Sequence, residues 1–507
     1  VSAAAQQIRR YAFAGAHPSA NQEQHMADPA AQICYRQSPT VPDLQALRCC
    51  VPRRCQAKWH PARLETAVRT PARNDLDAYW MPFTPNKAFK AAPRMMAAAE
   101  GQFYIMNDGR RIRDGFSGLW CSGLGHGHPK IVDAIVAQAG RLDYSPAFNF
   151  ARDDCFELAA RIAAQFPAPL QHVFFTNSGS EAVDTALKLA LAYHRARGEA
   201  ARTRLIGRVG GYHGVGFGGI SVGGMPNNRK AFGPLLPGVD HMPFPYDASR
   251  DGFTRGEPQC DPMLYLKELE AIIALHDAGT IAAVIVEPVI GSAGVFVAPE
   301  GYLAKLREIT ARHGILLIFD EVITGFGRLG SANGATYFGV EPDICTMAKG
   351  INNAAVPMGA AIASHAIHQT LMDASPSGVE FFHGYTYSAH PLAVASALAV
   401  QDIIRDEGVY EQAAALAPYF EDAMHSLKGE PHVTDVRNLG LAGGLSIATR
   451  DGKAGARAYD VFLSAFEHGV SIRSNGDTIA LAPILTSTKA DIDDIVERTR
   501  KALRSVG

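Results

Sequence analysis

Ile315-Leu316-Leu317-Ile318-Phe319-Asp320-Glu321-Val322 is an apolar run that ends on two acids. The run has strand length and no polar face, the pattern of a strand buried on both sides. Residues 172–176, 203–208 and 281–287 likewise read as buried strands. Between such runs lie stretches with helical spacing, among them residues 181–195 and 299–313. Strand and helix in alternation predict an α/β fold with a mostly parallel sheet. In such sheets chemistry gathers at the carboxyl ends of strands, and Asp320 stands at one. After Pro391 the pattern turns helix-rich and then mixed, which predicts a second, smaller α+β domain.

The 507 residues exceed one ordinary domain. We expect a segment 76–135 that contributes to the small domain, a large domain over 136–390, and the C-terminal small domain over 391–507. Residues 1–74 carry ten Lys/Arg against four Asp/Glu and show no useful periodicity. Residues 1–75 therefore read as a disordered extension, with organelle targeting as the other reading. A formal net charge of -2 gives no reason to expect nucleic acid or an anionic membrane as partner. No apolar run reaches the roughly 18 to 20 residues a membrane helix needs. Cys49, Cys50 and Cys55 are crowded, but no second ligand cluster follows, so no metal is expected. Reduced thiols in a cytoplasm are the expectation.

Four segments carry the chemistry. Thr176-Asn177-Ser178-Gly179-Ser180-Glu181-Ala182 follows a strand and opens a helix. Small residues there leave backbone N–H groups free, and with the helix dipole they form an anion site that Ser180 extends with its hydroxyl. The same residues also suit an ordinary N-cap, with Ser178 and Glu181 as S-x-x-E. Gly211-Tyr212-His213-Gly214 follows the next strand. An aromatic beside glycines can lie flat on a heteroaromatic ring, or simply pack within its loop. Asp320 ends an apolar strand, where a carboxylate is costly without a cation. A protonated pyridine nitrogen is such a cation; an arginine or a helix start is the alternative. Lys349, in Thr346-Met347-Ala348-Lys349-Gly350, ends another apolar run. Desolvation there lowers its pKa and frees the amine for a Schiff base, whereas a surface lysine would snorkel. The order decides: phosphate loop, stacking aromatic, strand-end acid, then a lysine 29 residues later. These are the parts that pyridoxal 5'-phosphate chemistry needs.

In these motifs the chain resembles the class III aminotransferases, of the aspartate-aminotransferase-like fold type I. The resemblance also covers V-E-P-V-I-G at 286–291, F-D-E-V-I-T-G-F-G-R at 319–328 and H-G-Y-T-Y-S-A-H-P at 383–391. It extends from about Leu76 to the C-terminus. It implies that Lys349 is the Schiff-base lysine and proton shuttle. Asp320 would bind the pyridine nitrogen, Val322 one ring face and Tyr212 the other, with His213 beside it. Ser178, Gly179 and Ser180 would form the phosphate turn, and Glu287 would stand behind the cofactor. Thr386 would reach the phosphate of a neighbouring subunit, in a homodimer or homotetramer.

Tyr79-Trp80-Met81-Pro82-Phe83-Thr84, Ser117-Gly118-Leu119-Trp120, Leu142-Asp143-Tyr144-Ser145-Pro146 and Ile472-Arg473-Ser474-Asn475-Gly476-Asp477 resemble the ω-amino acid:pyruvate (β-alanine:pyruvate) branch. That implies a small-molecule amino donor and pyruvate as substrates. Arg473 would bind the carboxylate, and Trp120 and Tyr144 would line the donor pocket; for both aromatics, core packing is the other reading. The ornithine and 4-aminobutyrate branches carry glutamate where this chain has Ser292, which argues against those donors being preferred. Other donors (a diamine or taurine) and other chemistries on the same cofactor (aminomutase, decarboxylase) stay open, as does a catalytically inactive cofactor-binding protein.

Overall fold

The computed structural model describes residues 76–375 and 378–507. The expectations for residues 1–75 and for the crowded Cys49, Cys50 and Cys55 lie outside the described residues.

Fifteen strands among the described residues form three sheets. In chain order, β1 is Met96–Glu100, β2 Phe103–Met106 and β3 Arg111–Asp114. Then come β4 (Leu170–Thr176), β5 (Arg204–Arg208), β6 (Val239–Met242), β7 (Ile281–Val286), β8 (Leu316–Asp320), β9 (Ile344–Met347) and β10 (Gly359–Ser364). The C-terminal strands are β11 (Val433–Leu439), β12 (Ala442–Ile447), β13 (Val470–Ser471), β14 (Arg473–Asn475) and β15 (Thr478–Leu481).

The seven-stranded central sheet runs β4-β10-β9-β8-β7-β5-β6. Its pairings from β9 through β6 are parallel, and β10 alone runs against both of its neighbours. Every residue of β7, β8 and β9 is buried, which is why these strands show no alternation in sequence. Apolar side chains from both sheet faces pack against helices such as Gly179–Ala196 and Tyr302–Arg312. The second helix starts three residues later than the apolar spacing predicts, because Gly301 precedes it at φ +75°.

A four-stranded sheet, β1-β2-β3-β13, joins the two ends of the described chain: Val470 pairs with Arg113 and Ser471 with Asp114. The third sheet, β11-β12-β15-β14, lies wholly in the C-terminal part. Helices Pro391–Glu407 and Val409–His425 precede it, as the helix-rich pattern after Pro391 predicts. Among the described residues no helix is long and apolar enough to cross a membrane, and no group of three or more His, Cys, Asp or Glu is arranged to hold a metal ion.

Candidate active site

Parallel strands end on the same side of a sheet, so the segments leaving β4, β5, β7, β8 and β9 converge. They enclose a cavity of about 140 Å³ whose lining includes Lys349, Asp320, Tyr212, Ser180, Glu287 and Val322. A larger open cleft of about 540 Å³ lies at the opposite strand ends, beside Arg307 and Asp343, and holds none of these residues.

Asp320, the last residue of β8, is 5% exposed and accepts three hydrogen bonds. His213 Nδ1 lies 2.8 Å from Oδ2, while Thr346 Oγ1 and the backbone N–H of Val322 donate to Oδ1 at 3.1 and 3.2 Å. The carboxylate is thereby aimed into the cavity. Lys349 stands two residues beyond β9 with φ at +49°, a conformation that side chains other than glycine rarely adopt. Desolvation pushes its pKa down, outweighing the carboxylates of Asp320 and Glu287 that pull it up. The amine is thus biased toward its neutral, nucleophilic form.

Ser178 caps the helix Gly179–Ala196, its hydroxyl accepting from the Glu181 N–H at 3.2 Å. The Glu181 carboxylate takes the N–H of Asn177 at 2.7 Å rather than that of Ser178. The cap leaves Gly179 and Ser180, at the helix start, with no partner within the helix for their N–H groups. Both line the cavity. Ser180 Oγ accepts from the Val215 N–H at 3.0 Å, and Gly214 (φ +89°) permits that approach.

Tyr212 and Val322 line the cavity, and the Tyr212 N–H donates to Glu287 Oε1 at 3.0 Å. Glu287 Oε2 accepts from the Gly291 N–H at 3.0 Å, so this buried acid ties the Tyr212 loop to the Ser292 turn. Burial pushes its pKa up. Arg473, on β14, is half-buried, and burial pushes its pKa down; it lies close enough to Tyr212 for each to affect the other's ionisation.

Trp120 and Tyr144 do not themselves line this cavity. Trp120 is 6% exposed and belongs to a buried cluster with Phe116, Val289 and Ile323; of these, Ile323 lines the cavity. Tyr144 is at the surface, its hydroxyl donating to the Thr386 carbonyl at 3.2 Å. Thr386 is exposed too.

Sequence reasoning assigned no role to Thr346, Glu321 or Arg208. Thr346 is the one hydroxyl in the apolar run of β9, a signal that was available. Glu321 is fully buried and accepts from the N–H groups of Gly334 and Ala335 at 2.8 and 2.7 Å, fixing the chain beyond the Asp320 strand. Arg208 is fully buried and donates to the Glu287 carbonyl at 2.8 Å.

The family profile described as aminotransferase class III matches residues 86–503. A protein of Caulobacter vibrioides named omega-aminotransferase is 54% identical over 85% of this chain and 98% of its own length. A Pseudomonas aeruginosa protein named beta-alanine–pyruvate aminotransferase is 47% identical over 87% of this chain and 99% of its own. Among solved structures, an (S)-enantioselective omega-transaminase of Thermomicrobium roseum superposes with a TM-score of 0.81 at 35% identity, covering 85% of this chain and 97% of that one.

Proposed function

This chain belongs to the class III aminotransferases, and we propose on that basis that it moves the amino group of a β-alanine-like ω-amino acid or amine to pyruvate. The products are an aldehyde or keto compound and L-alanine, and the cofactor is pyridoxal 5'-phosphate. The observation that carries the reading is a desolvated lysine, Lys349, and a buried carboxylate with three donors, Asp320, on one cavity. The names of the Caulobacter and Pseudomonas relatives support the substrate classes.

The cavity suits the cofactor chemically. It offers an amine for an aldehyde, an aimed carboxylate for a ring nitrogen, and helix-start N–H groups with a hydroxyl for a phosphate. A Cβ added at Gly179 would lie 3.1 Å from both methyls of Val322, so glycine keeps that wall open. When bound, pyridoxal 5'-phosphate supplies an electron-poor ring that stabilises negative charge on the donor carbon.

Asp320 would keep a proton on the ring nitrogen, with His213 and Thr346 fixing its two oxygens. Lys349 Nζ takes the proton from the donor carbon, a general-base step suited to an amine whose pKa desolvation lowers. Tyr212 and Val322, which line the cavity, would hold the ring from its two faces. Arg473 orients the keto acid through a two-pronged carboxylate contact. We assign the cofactor to the domain of residues 136–390 and Arg473 to a small domain built from 76–135 and 391–507. We place Thr386 at the phosphate of a neighbouring subunit in a homodimer or homotetramer.

The test is the visible spectrum of the cofactor-loaded protein, titrated with β-alanine and then pyruvate. The band of the bound cofactor should vanish with β-alanine and return with pyruvate as alanine forms. Lys349→Ala should lose both the band and multiple turnover. A band that ignores β-alanine but answers to a diamine or taurine reassigns the donor. Full turnover in Lys349→Ala overturns the mechanism.

A further inference from the structure

Arg328 lies in the loop beyond β8 and is 3% exposed, with no carboxylate in ion-pair contact among the described residues. Its guanidinium donates to the carbonyls of Leu441 and Pro483 at 3.1 and 2.7 Å and to Ser117 Oγ at 3.1 Å. Its Cζ sits 5.7 Å from the centre of the Trp120 ring. One buried cation thus ties together the Asp320 strand's exit loop, the C-terminal part and the N-terminal part. Burial pushes it down to about 10. An enclosed charge is costly, and Asp114, which lies near but outside ion-pair contact, offsets only part of that cost.

The segment it grips is strained. Ser117, Gly118, Leu119 and Trp120 have φ of 43°, 53°, 68° and 67°, a single left-handed turn in which three residues carry side chains. The turn is closed by the Trp120 N–H to the Phe116 carbonyl at 3.0 Å and the Cys121 N–H to the Ser117 carbonyl at 2.6 Å. Strain of this kind persists only where the surroundings enforce it, and it gathers at functional sites. Arg328 touches both ends of the turn: Ser117 by hydrogen bond, Trp120 by its ring. Ser117 Oγ in turn donates to the Ala482 carbonyl at 2.7 Å. Trp120 shares its buried cluster with Ile323, which lines the cavity beside Lys349.

We propose that Arg328 is a positioning residue for the amino donor. It clamps the left-handed turn, fixes the Trp120–Ile323 wall, and so limits the bulk of the substituent that a donor brings into the cavity. This rests on the transaminase reading and adds a determinant of donor size. The planar fork is essential to it, because three acceptors on separate segments must be met at once. A lysine has the charge but not that geometry.

Arg328→Met, Arg328→Lys and Ser117→Ala are compared with the wild type as cofactor-loaded enzymes. The first readout is the ratio of kcat/KM for 1-phenylethylamine to that for β-alanine, both with pyruvate. A general loss of folded enzyme cancels in this ratio. The ratio should rise about tenfold in both Arg328 variants, with no rescue by lysine, and less in Ser117→Ala. The second readout is alkylation of Cys121 by N-ethylmaleimide, followed by peptide mass. This thiol ends the turn, and burial holds its pKa up, so it should react slowly in the wild type and faster in the variants. Should the Arg328 variants not fold, Ser117→Ala carries both readouts. An unchanged donor ratio in the folded variants, or a wild-type ratio in Arg328→Lys, overturns the proposal. If the wild type does not turn over β-alanine, the donor assignment fails instead. The ratio is then taken between a small and a bulky amine that do bleach the band, while the alkylation readout stands unchanged.

Discussion

Lys349 combines two costs that a structural lysine would avoid: a left-handed backbone and loss of solvent around its amine. Each is of the kind kept for chemistry. Desolvation disfavours the charged form, so this base gives up its proton at a lower pH than an ordinary lysine, whose pKa is about 10.4. In cofactor-free protein Lys349 should therefore be the lysine acylated fastest by an amine reagent at about pH 8. Its labelling should fall only as pH drops through the lowered pKa, whereas surface lysines already slow below about 10.4. Peptide mapping across pH checks this; equal labelling of Lys349 and surface lysines would remove the argument from desolvation. At this scale Asp320 and Lys349 were legible because a charge at the end of an apolar strand is conspicuous. The three donors on Asp320 were less so. His213 was placed beside the cofactor by resemblance, and Thr346 reaches Asp320 only because β8 and β9 pair side by side, Asp320 opposite Thr346.

Among the elements, the helix Gly179–Ala196 and the loop after β5 meet at a contact with no spare room. A Cβ on Gly214 would stand 2.5 Å from Ser180 Oγ and 2.7 Å from its Cα, at a φ of +89°. Gly214→Ala should lose about 2 kcal/mol of stability through overpacking and backbone strain. It should also retain cofactor less firmly, because Ser180 sits at the proposed phosphate turn. Denaturant unfolding and dialysis of the loaded protein measure the two effects. Strands β7 and β8 are visible as apolar runs of Val, Ile, Leu, Phe and Ala. Strand β10, Gly-Ala-Ala-Ile-Ala-Ser, is not, since alanine and glycine carry little strand preference. It is a strand because β4 and β9 flank it, and small side chains let the helix Gly179–Ala196 pack close above it.

For the whole molecule, the informative surface is the patch at Tyr144, Phe148, Phe382 and Tyr387. These are exposed aromatics next to Thr386, and a Cβ on Gly384 would lie 2.9 Å from the Phe148 ring. On the proposed assembly, Thr386 serves the neighbour's cavity. A hybrid of Lys349→Ala and Thr386→Val subunits then contains one cavity with both native residues. Subunit exchange between the two weakened variants should restore up to about half of the native activity per dimer. No recovery on exchange would place Thr386 in its own chain's site.

By itself the sequence determined the α/β class, the order of the chemical parts and the family. Buried parallel strands must be apolar throughout, and their ends must carry the polar groups, so both leave a linear trace. Tertiary structure alone decided that β3 pairs with β13, joining the two ends of the described chain. It decided too that Arg328 closes on Ser117, Leu441 and Pro483, and that Trp120 lies buried while Tyr144 stays at the surface. These contacts link residues more than a hundred positions apart. They depend on where close packing brings separate segments together, and neither periodicity nor composition encodes that.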